Sequence, residues 1–253
     1  MKPPFSYCGG KQYLAEYLLN LLPKHTTYVE PFCGSAALLF AKERSRLEVL
    51  NDKEDKIVNF FKVLRDQGKE LQRVCKLTPY SQAEYQKALD GGGDDLERAR
   101  KWWVRVSQSF ASMPSDSWAR FPSKKISVKA SRLEQVAQRL SDVCLVCEDA
   151  LDIISKYDSM KTCFYCDPPY PESEQKAYSN KFSVKAFNDL VTCLDQIQGS
   201  FLLSCYYKEG MQIPGDWESY RVKSSVRFRK LISPRTEIIF RKLNSQSGDM
   251  LLW

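Results

Sequence analysis

No apolar run in the sequence approaches the roughly 18 residues that a membrane-spanning helix needs. No apolar signal region follows Met1-Lys2-Pro3-Pro4. With a hydrophobic content of 43%, these absences predict a soluble globular protein that stays in the cytoplasm. Histidine is nearly missing, with His25 alone in the turn after the first predicted helix. The nine cysteines are an odd total, which argues against a full disulfide framework. Cys144-x-x-Cys147 and Cys163-x-x-Cys166 are fifteen residues apart, a spacing seen in four-cysteine zinc sites. Both pairs nevertheless read as apolar strands, where positions i and i+3 point to opposite faces, and neither holds the glycine turn of a zinc knuckle. No metal is expected, and the thiols read as small buried hydrophobes of a reducing compartment. A formal charge of +7 permits a polyanionic partner without requiring one.

Residues 164 to 170, Phe-Tyr-Cys-Asp-Pro-Pro-Tyr, carry the most chemistry. The apolar part reads as a buried strand, and Pro168 and Pro169 must end it because they supply no ladder hydrogens. Asp167 therefore falls at a strand's carboxyl end, the edge where ligands bind in an open α/β sheet. A carboxylate and the Pro168 carbonyl, spaced by two prolines, suit the hydrogens of an exocyclic amine on a flat base. They favour a transition state in which positive charge builds on nitrogen. Tyr170 would stack on the base. The plainer alternative is a Pro-Pro turn with Asp167 capping a helix and Tyr170 in the core.

A second block, Tyr28-Val29-Glu30-Pro31-Phe32-Cys33-Gly34-Ser35-Ala36-Ala37, reads as strand, glycine turn and helix, an arrangement that lets a ligand approach backbone closely. The next strand, Leu47 to Leu50, ends in Asn51-Asp52, eighteen residues after Gly34. An acid at about that distance binds ribose hydroxyls in dinucleotide folds, and Asp52 is the candidate here. Its other reading is a helix cap before Ile57. Further strands are predicted at Cys144 to Cys147, Thr162 to Cys166, Ser200 to Tyr206, Val226 to Ile232 and Thr236 to Lys242. The last two are expected to join through Ser233-Pro234. Glu30, Asp52, Asp149 and Asp167 then share one rim of a parallel sheet. Four acids on one edge suit a cationic, hydroxyl-bearing ligand, and S-adenosylmethionine is both.

Residues 68 to 140 differ in character. They show few strand signals, a flexible Asp90-Gly91-Gly92-Gly93-Asp94 link, and helical patterns at Leu96 to Val106 and Ala130 to Leu140. Basic residues, among them Arg100, Lys101, Arg105, Arg120, Lys124 and Lys125, alternate with Trp102, Trp103, Phe110, Trp118 and Phe121. The mixture suits phosphate contact with base stacking, and equally a small helical subdomain with an aromatic core.

Taken in order, Tyr7-Cys8-Gly9-Gly10-Lys11, Val29 to Ser35, Asn51-Asp52, Asp167-Pro168-Pro169-Tyr170, Leu202 to Tyr206 and Arg235 to Ile239 resemble the Dam family of adenine-N6 DNA methyltransferases, especially its phage and prophage members. The resemblance implies an α/β fold with a Rossmann-like, seven-stranded methyltransferase sheet formed by 1–67 and 141–253. It also implies a small, mainly helical DNA-recognition insertion at 68–140. By position, Tyr7, Lys11, Asp52 and Asp167 would contact S-adenosylmethionine, with Pro31, Phe32 and Gly34 forming its loop and Glu30 and Asp149 on the acidic rim. Asp167, Pro168, Pro169 and Tyr170 would hold an adenine flipped out of double-stranded DNA, and N6 would attack the sulfonium methyl in line. Arg105, Trp118, Arg120, Lys124 and Lys125 are the candidate DNA contacts, without assignment to bases. Where the family's loop usually has a second glycine, this chain has Ala36. The recognition region matches the family poorly, so its recognition sequence is not carried over. An RNA adenine methyltransferase and a catalytically decayed DNA-binding protein remain alternatives, and a restriction endonuclease partner is compatible with the reading.

Overall fold

Thr162-Cys163-Phe164-Tyr165-Cys166 is apolar on both faces and forms a strand, β4 (Thr162–Cys166), buried along its whole length. The computed structural model describes residues 1–7, 10–109, 117–120, 128, 130–170, 182–228 and 231–244. Expectations for Cys8, Gly9, Phe110, Phe121, Lys124 and Lys125 lie outside the described residues. The other strands are β1 (Thr27–Glu30), β2 (Leu47–Asn51), β3 (Val143–Val146), β5 (Ser200–Cys205), β6 (Glu218–Phe228) and β7 (Leu231–Lys242). They form a seven-stranded sheet in the order β3-β2-β1-β4-β5-β7-β6, the Rossmann-like α/β sheet expected. The pairs β1–β4, β4–β5 and β2–β3 are parallel, while β7 runs antiparallel to both β5 and β6.

The chain divides into two compact units. The first comprises Met1–Leu19, Cys33–Arg44 and Glu48–Glu148. It holds most of α1 (Ala15–Leu21) and of β2, with β3 and helices α2 (Ala37–Ala41), α3 (Asp55–Asp66), α4 (Gly68–Leu77), α5 (Gln82–Ala88), α6 (Asp95–Gln108) and α7 (Leu133–Arg139). Side-chain caps fix two of these starts: Ser81 accepts from the Glu84 amide before α5, and Asp94 from the Glu97 amide before α6. Helix α6 buries Trp102 and Trp103. The Trp102 ring lies edge-on to Phe5, which in turn meets Phe60 and Phe61 of α3. Trp102 and Trp103 are thus core. Two of the basic residues beside them are paired. Arg100 bridges Glu97 and Glu84, and Lys101 reaches Asp90 and the Gly92 carbonyl. Of the two sequence readings for this stretch, these four residues follow the structural one.

The second unit comprises Asn20–Phe32, Ser45–Leu47 and Asp149–Trp253. It holds β1, β4, β5, β6 and β7 with α8 (Ala150–Tyr157) and α9 (Val184–Gln196). Asp149 caps α8 by accepting from the Leu151 amide, and Ser183 caps α9 through Ala186. One strand expectation needs correction. Ser233-Pro234 does not turn the hairpin: Val226 pairs with Ser233, Ser225 with Pro234, and the last pair is Phe228 with Leu231. The chain therefore reverses between Phe228 and Leu231, before Ser233-Pro234 and inside the single strand expected at Val226 to Ile232, whose residues divide between β6 and β7. Proline is tolerated inside β7 because β5 covers only Ile238–Lys242. Residues before Ile238 have a single neighbour, and a missing N–H can face the open side.

A buried ionic cluster braces the first unit. Arg139 of α7 donates to both Glu48 carboxylate oxygens and to the Leu39 carbonyl, and Lys42 meets the same carboxylate at 2.7 Å. Removing one partner leaves charge buried with fewer bonds. We expect Arg139→Ala to lower the unfolding free energy by about 3 kcal/mol, the lower end of the range for breaking a buried pair because Lys42 remains. Urea denaturation checks this.

Candidate active site

In the first unit the glycine loop and the end of β2 are tied together by Asp52. Its Oδ2 accepts the Gly34 N–H at 2.9 Å and its Oδ1 the Glu54 N–H at 3.0 Å, while the Cys33 amide donates to the Asn51 carbonyl at 2.8 Å. Oδ2 also lies within reach of the Cys33 thiol at 4.0 Å, while Oδ1 keeps a second lone pair for a ligand hydroxyl. Burial pushes Asp52 up to about 6, partly offset by those two backbone amides; Glu54 adds to the rise and Lys56 opposes it.

The loop backbone is left-handed at Gly34 (φ 47°) and again at Ala36 (φ 54°). Ala36 is the position where glycine was expected, and its backbone is one that glycine adopts freely and alanine adopts under strain. Tyr7 closes over the loop: a Cβ on Gly34 would stand 3.4 Å from its ring. A Cβ on Gly10 would stand 2.9 Å from the Tyr7 carbonyl and 3.5 Å from Ser35 Oγ. Lys11 follows in a short 3-10 turn, Lys11–Tyr13, and is buried. Tyr7, Lys11, Gly34 and Asp52 thus all belong to this one unit, as do the orienting contacts of Tyr7 with Phe5 and Trp102. Asn51, which the sequence suggested only as part of a strand end, is fully buried and clamps residues after β3. Its amide donates to the Glu148 carbonyl and accepts the Glu148 N–H.

In the second unit β4 delivers Asp167 to the carboxyl edge, where it is partly exposed, as are Pro169 and Tyr170, while Pro168 is buried. The Tyr170 ring meets Tyr206, just past β5, with centroids 4.5 Å apart at 50°. Its hydroxyl lies 3.4 Å from both Asp167 Oδ1 and Glu237 Oε1. Burial, then Asp167 and Glu237, hold this phenol well above the ordinary range. The same holds for Tyr165, whose hydroxyl is 3.4 Å from Ser204 Oγ and whose neighbours include Asp167, Glu237 and Glu30. Glu30 ends β1 buried, accepting the Tyr28 hydroxyl at 2.8 Å from two positions back on the same face. Pro31 is buried, and Phe32 is half-buried with its ring edge-on to Phe182.

Glu237 was not among the sequence candidates. The available signal was an acid directly before the apolar run Ile238-Ile239-Phe240. Its side chain is fully buried, a placement charged residues seldom take without a partner or a task. Of the candidate DNA contacts, Arg105 is half-buried in α6, Trp118 is half-buried with its ring 5.7 Å from that of Tyr80, and Arg120 is exposed.

Residues 7–90 match the family model of the D12 class N6 adenine-specific DNA methyltransferases. Among solved structures, yhhF of Escherichia coli, a methyltransferase candidate, aligns with a TM-score of 0.39 at 8% identity, over 93% of this chain and 85% of that one. SMU.472, a methyltransferase candidate complexed with SAH, aligns with a TM-score of 0.43 at 12% identity, over 93% of this chain. The chain spans 53% of that second protein.

Two expectations follow from the loop. Ala36→Val should cost about 2 kcal/mol or more, because a β-branched residue resists the left-handed backbone. Ala36→Gly should change stability by less than about 1 kcal/mol, strain relief offsetting the lost buried methyl; thermal melting separates the two. A raised carboxyl favours the protonated folded form, so the Asp52 contribution to stability is full below about pH 4 and is lost as pH rises through about 6. The difference in unfolding free energy between wild type and Asp52→Asn should therefore change by about 2 kcal/mol between pH 4 and pH 7. A pH-independent difference would contradict this.

Proposed function

We propose that the protein is an S-adenosylmethionine-dependent methyltransferase that modifies the N6 amine of adenine in duplex DNA. The observation that carries the reading is Asp167-Pro168-Pro169-Tyr170 held at the end of a fully buried strand. There a carboxylate and an aromatic ring share one edge. The match of residues 7–90 to an adenine-specific family model supports the same reading independently of that motif.

The first unit fits the cofactor. Asp52 offers carboxylate lone pairs for ribose hydroxyls, and Gly34 and Gly10 leave bare backbone where a side chain would crowd Tyr7. Tyr7 and Lys11 complete the set of cofactor residues in this unit. When bound, S-adenosylmethionine supplies an electrophilic methyl on a sulfonium.

The second unit fits the acceptor. Asp167 and the Pro168 carbonyl accept the two amine hydrogens, which draws nitrogen toward tetrahedral geometry and stabilises the positive charge that builds there. Tyr170 orients the base by stacking. Because its ring already touches Tyr206, the base takes its outer face. The chemistry requires an unstacked target, and base-modifying enzymes on duplexes obtain it by flipping. The exposed Arg120 and the half-buried Arg105 and Trp118 are assigned to DNA, together with Lys124 and Lys125.

The decisive experiment incubates purified protein with isotopically labelled S-adenosylmethionine and unmethylated duplex DNA, followed by nucleoside mass spectrometry. Labelled N6-methyladenine is expected, reduced at least about a hundredfold in Asp167→Ala, as for loss of a preorganised polar group. Transfer to RNA but not DNA would move the substrate assignment to RNA. His25→Ala should retain methylation: its ring meets the Pro23 carbonyl at 2.7 Å and the ring of Tyr28, and neither of these is a candidate site residue.

A further inference from the structure

Tyr170 has one hydroxyl proton and two carboxylates in reach of it. Asp167 Oδ1 and Glu237 Oε1 each stand 3.4 Å from the phenol oxygen, so those two carboxylate oxygens are no further apart than twice that distance. Both separations are long for an O–H···O bond, and a phenol donates to one acceptor at a time. The two acids are not equivalent. Asp167 is partly exposed at the end of β4, whereas Glu237 is fully buried within β7. The antiparallel register explains how a mid-strand acid reaches the carboxyl edge of the parallel strands. Ile238 pairs with Cys205, the last residue of β5, so Glu237 lies one step beyond, level with Tyr206. Burying a carboxylate there costs stability that an apolar residue would not.

We propose that Glu237 is a positioning residue for Asp167, acting through the Tyr170 hydroxyl, and this rests on the methyl-transfer reading above. A phenol donating to Asp167 occupies one of its acceptor sites and spreads its charge, which weakens its hold on an incoming amine. Glu237 gives that hydroxyl a second acceptor. When an amine hydrogen arrives at Asp167, the Tyr170 O–H turns to Glu237, and the Asp167 oxygen is released to the substrate. No covalent bond is made or broken in the exchange; one hydrogen bond replaces another. Burial, with Asp167 and Glu237 adjacent, keeps the phenol protonated, so it remains a donor throughout. The same bond to Glu237 holds the Tyr170 ring against Tyr206, in the orientation needed for stacking.

The test is a double-mutant cycle read by single-turnover methylation of duplex DNA, with cofactor affinity and melting temperature measured for every variant. Glu237→Gln should slow the single-turnover rate about five- to tenfold, the value of one net hydrogen bond, while cofactor affinity changes less than about twofold. In the Tyr170→Phe background, where there is no hydroxyl to direct, the same substitution should have almost no effect on rate. Should Glu237→Gln fail to fold, Glu237→Asp, which withdraws the carboxylate by one methylene, is read identically in both backgrounds. Equal slowing with and without the Tyr170 hydroxyl would overturn the proposal, because a structural role would not depend on that oxygen. So would unchanged rates in both. A wild-type protein that methylates no adenine would overturn the functional reading and this inference with it. An active wild type without coupling overturns the inference alone.

Discussion

The backbone ladder of β4 has to stop at Asp167, and the second unit is organised around that stop. β4 lies between β1 and β5, paired in parallel on both sides, and all five of its residues are buried. Pro168 and Pro169 bring no N–H to continue the pairing. The first polar side chain after the strand is therefore delivered to the sheet's edge by the requirement that buried backbone groups be satisfied. From there the chain turns so that Tyr170 rests on Tyr206 and reaches Glu237. The carboxylate is placed by strand pairing and the aromatic by packing, which leaves little freedom in either.

A parallel constraint operates in the first unit with a different device. Asp52 also follows a strand, but it is fixed by two backbone amides, those of Gly34 and Glu54. That arrangement requires the loop to turn back sharply, through left-handed backbone at Gly34 and Ala36. Three of the described residues thus sit in states that cost stability. Ala36 has a strained backbone, Asp52 has a carboxyl that burial drives toward neutrality, and Glu237 is a buried acid. All three lie at the candidate cofactor and acceptor sites, where strain and desolvation tend to gather.

Residues 68–140 show the opposite economy. Their sequence alternates basic and aromatic residues in a way that suggests nucleic acid, yet Trp102 and Trp103 are core, Arg100 and Lys101 pair with acids, and Arg139 is consumed by Glu48. Helix α6 is amphipathic, and its charged side chains answer acidic residues on α5 and the glycine-rich link. Among the described candidates, what remains for a polyanion is Arg105 in α6 and, after it, Trp118 and Arg120. Composition registers how many charges a segment has; only the fold shows which are already neutralised.

Strands β1 to β5, the glycine loop and the placement of Asp52 and Asp167 were legible in the sequence because each depends on local chemistry: apolar runs, prolines without N–H, and glycine where the backbone turns left-handed. The Pro234 turn was misplaced because a proline ends pairing only where a partner needs its N–H, and β7 has no second partner at that point. Asn51 as a clamp, and Arg139 with Glu48, join residues about ninety positions apart, which no local pattern encodes. Glu237 belongs with these. The chain alone establishes that an acid precedes the apolar run Ile238-Ile239-Phe240, and periodicity assigns it to a face. That this acid meets Tyr170 depends on β7 running antiparallel beside β5, which sets Glu237 level with Tyr206, a register decided by tertiary pairing.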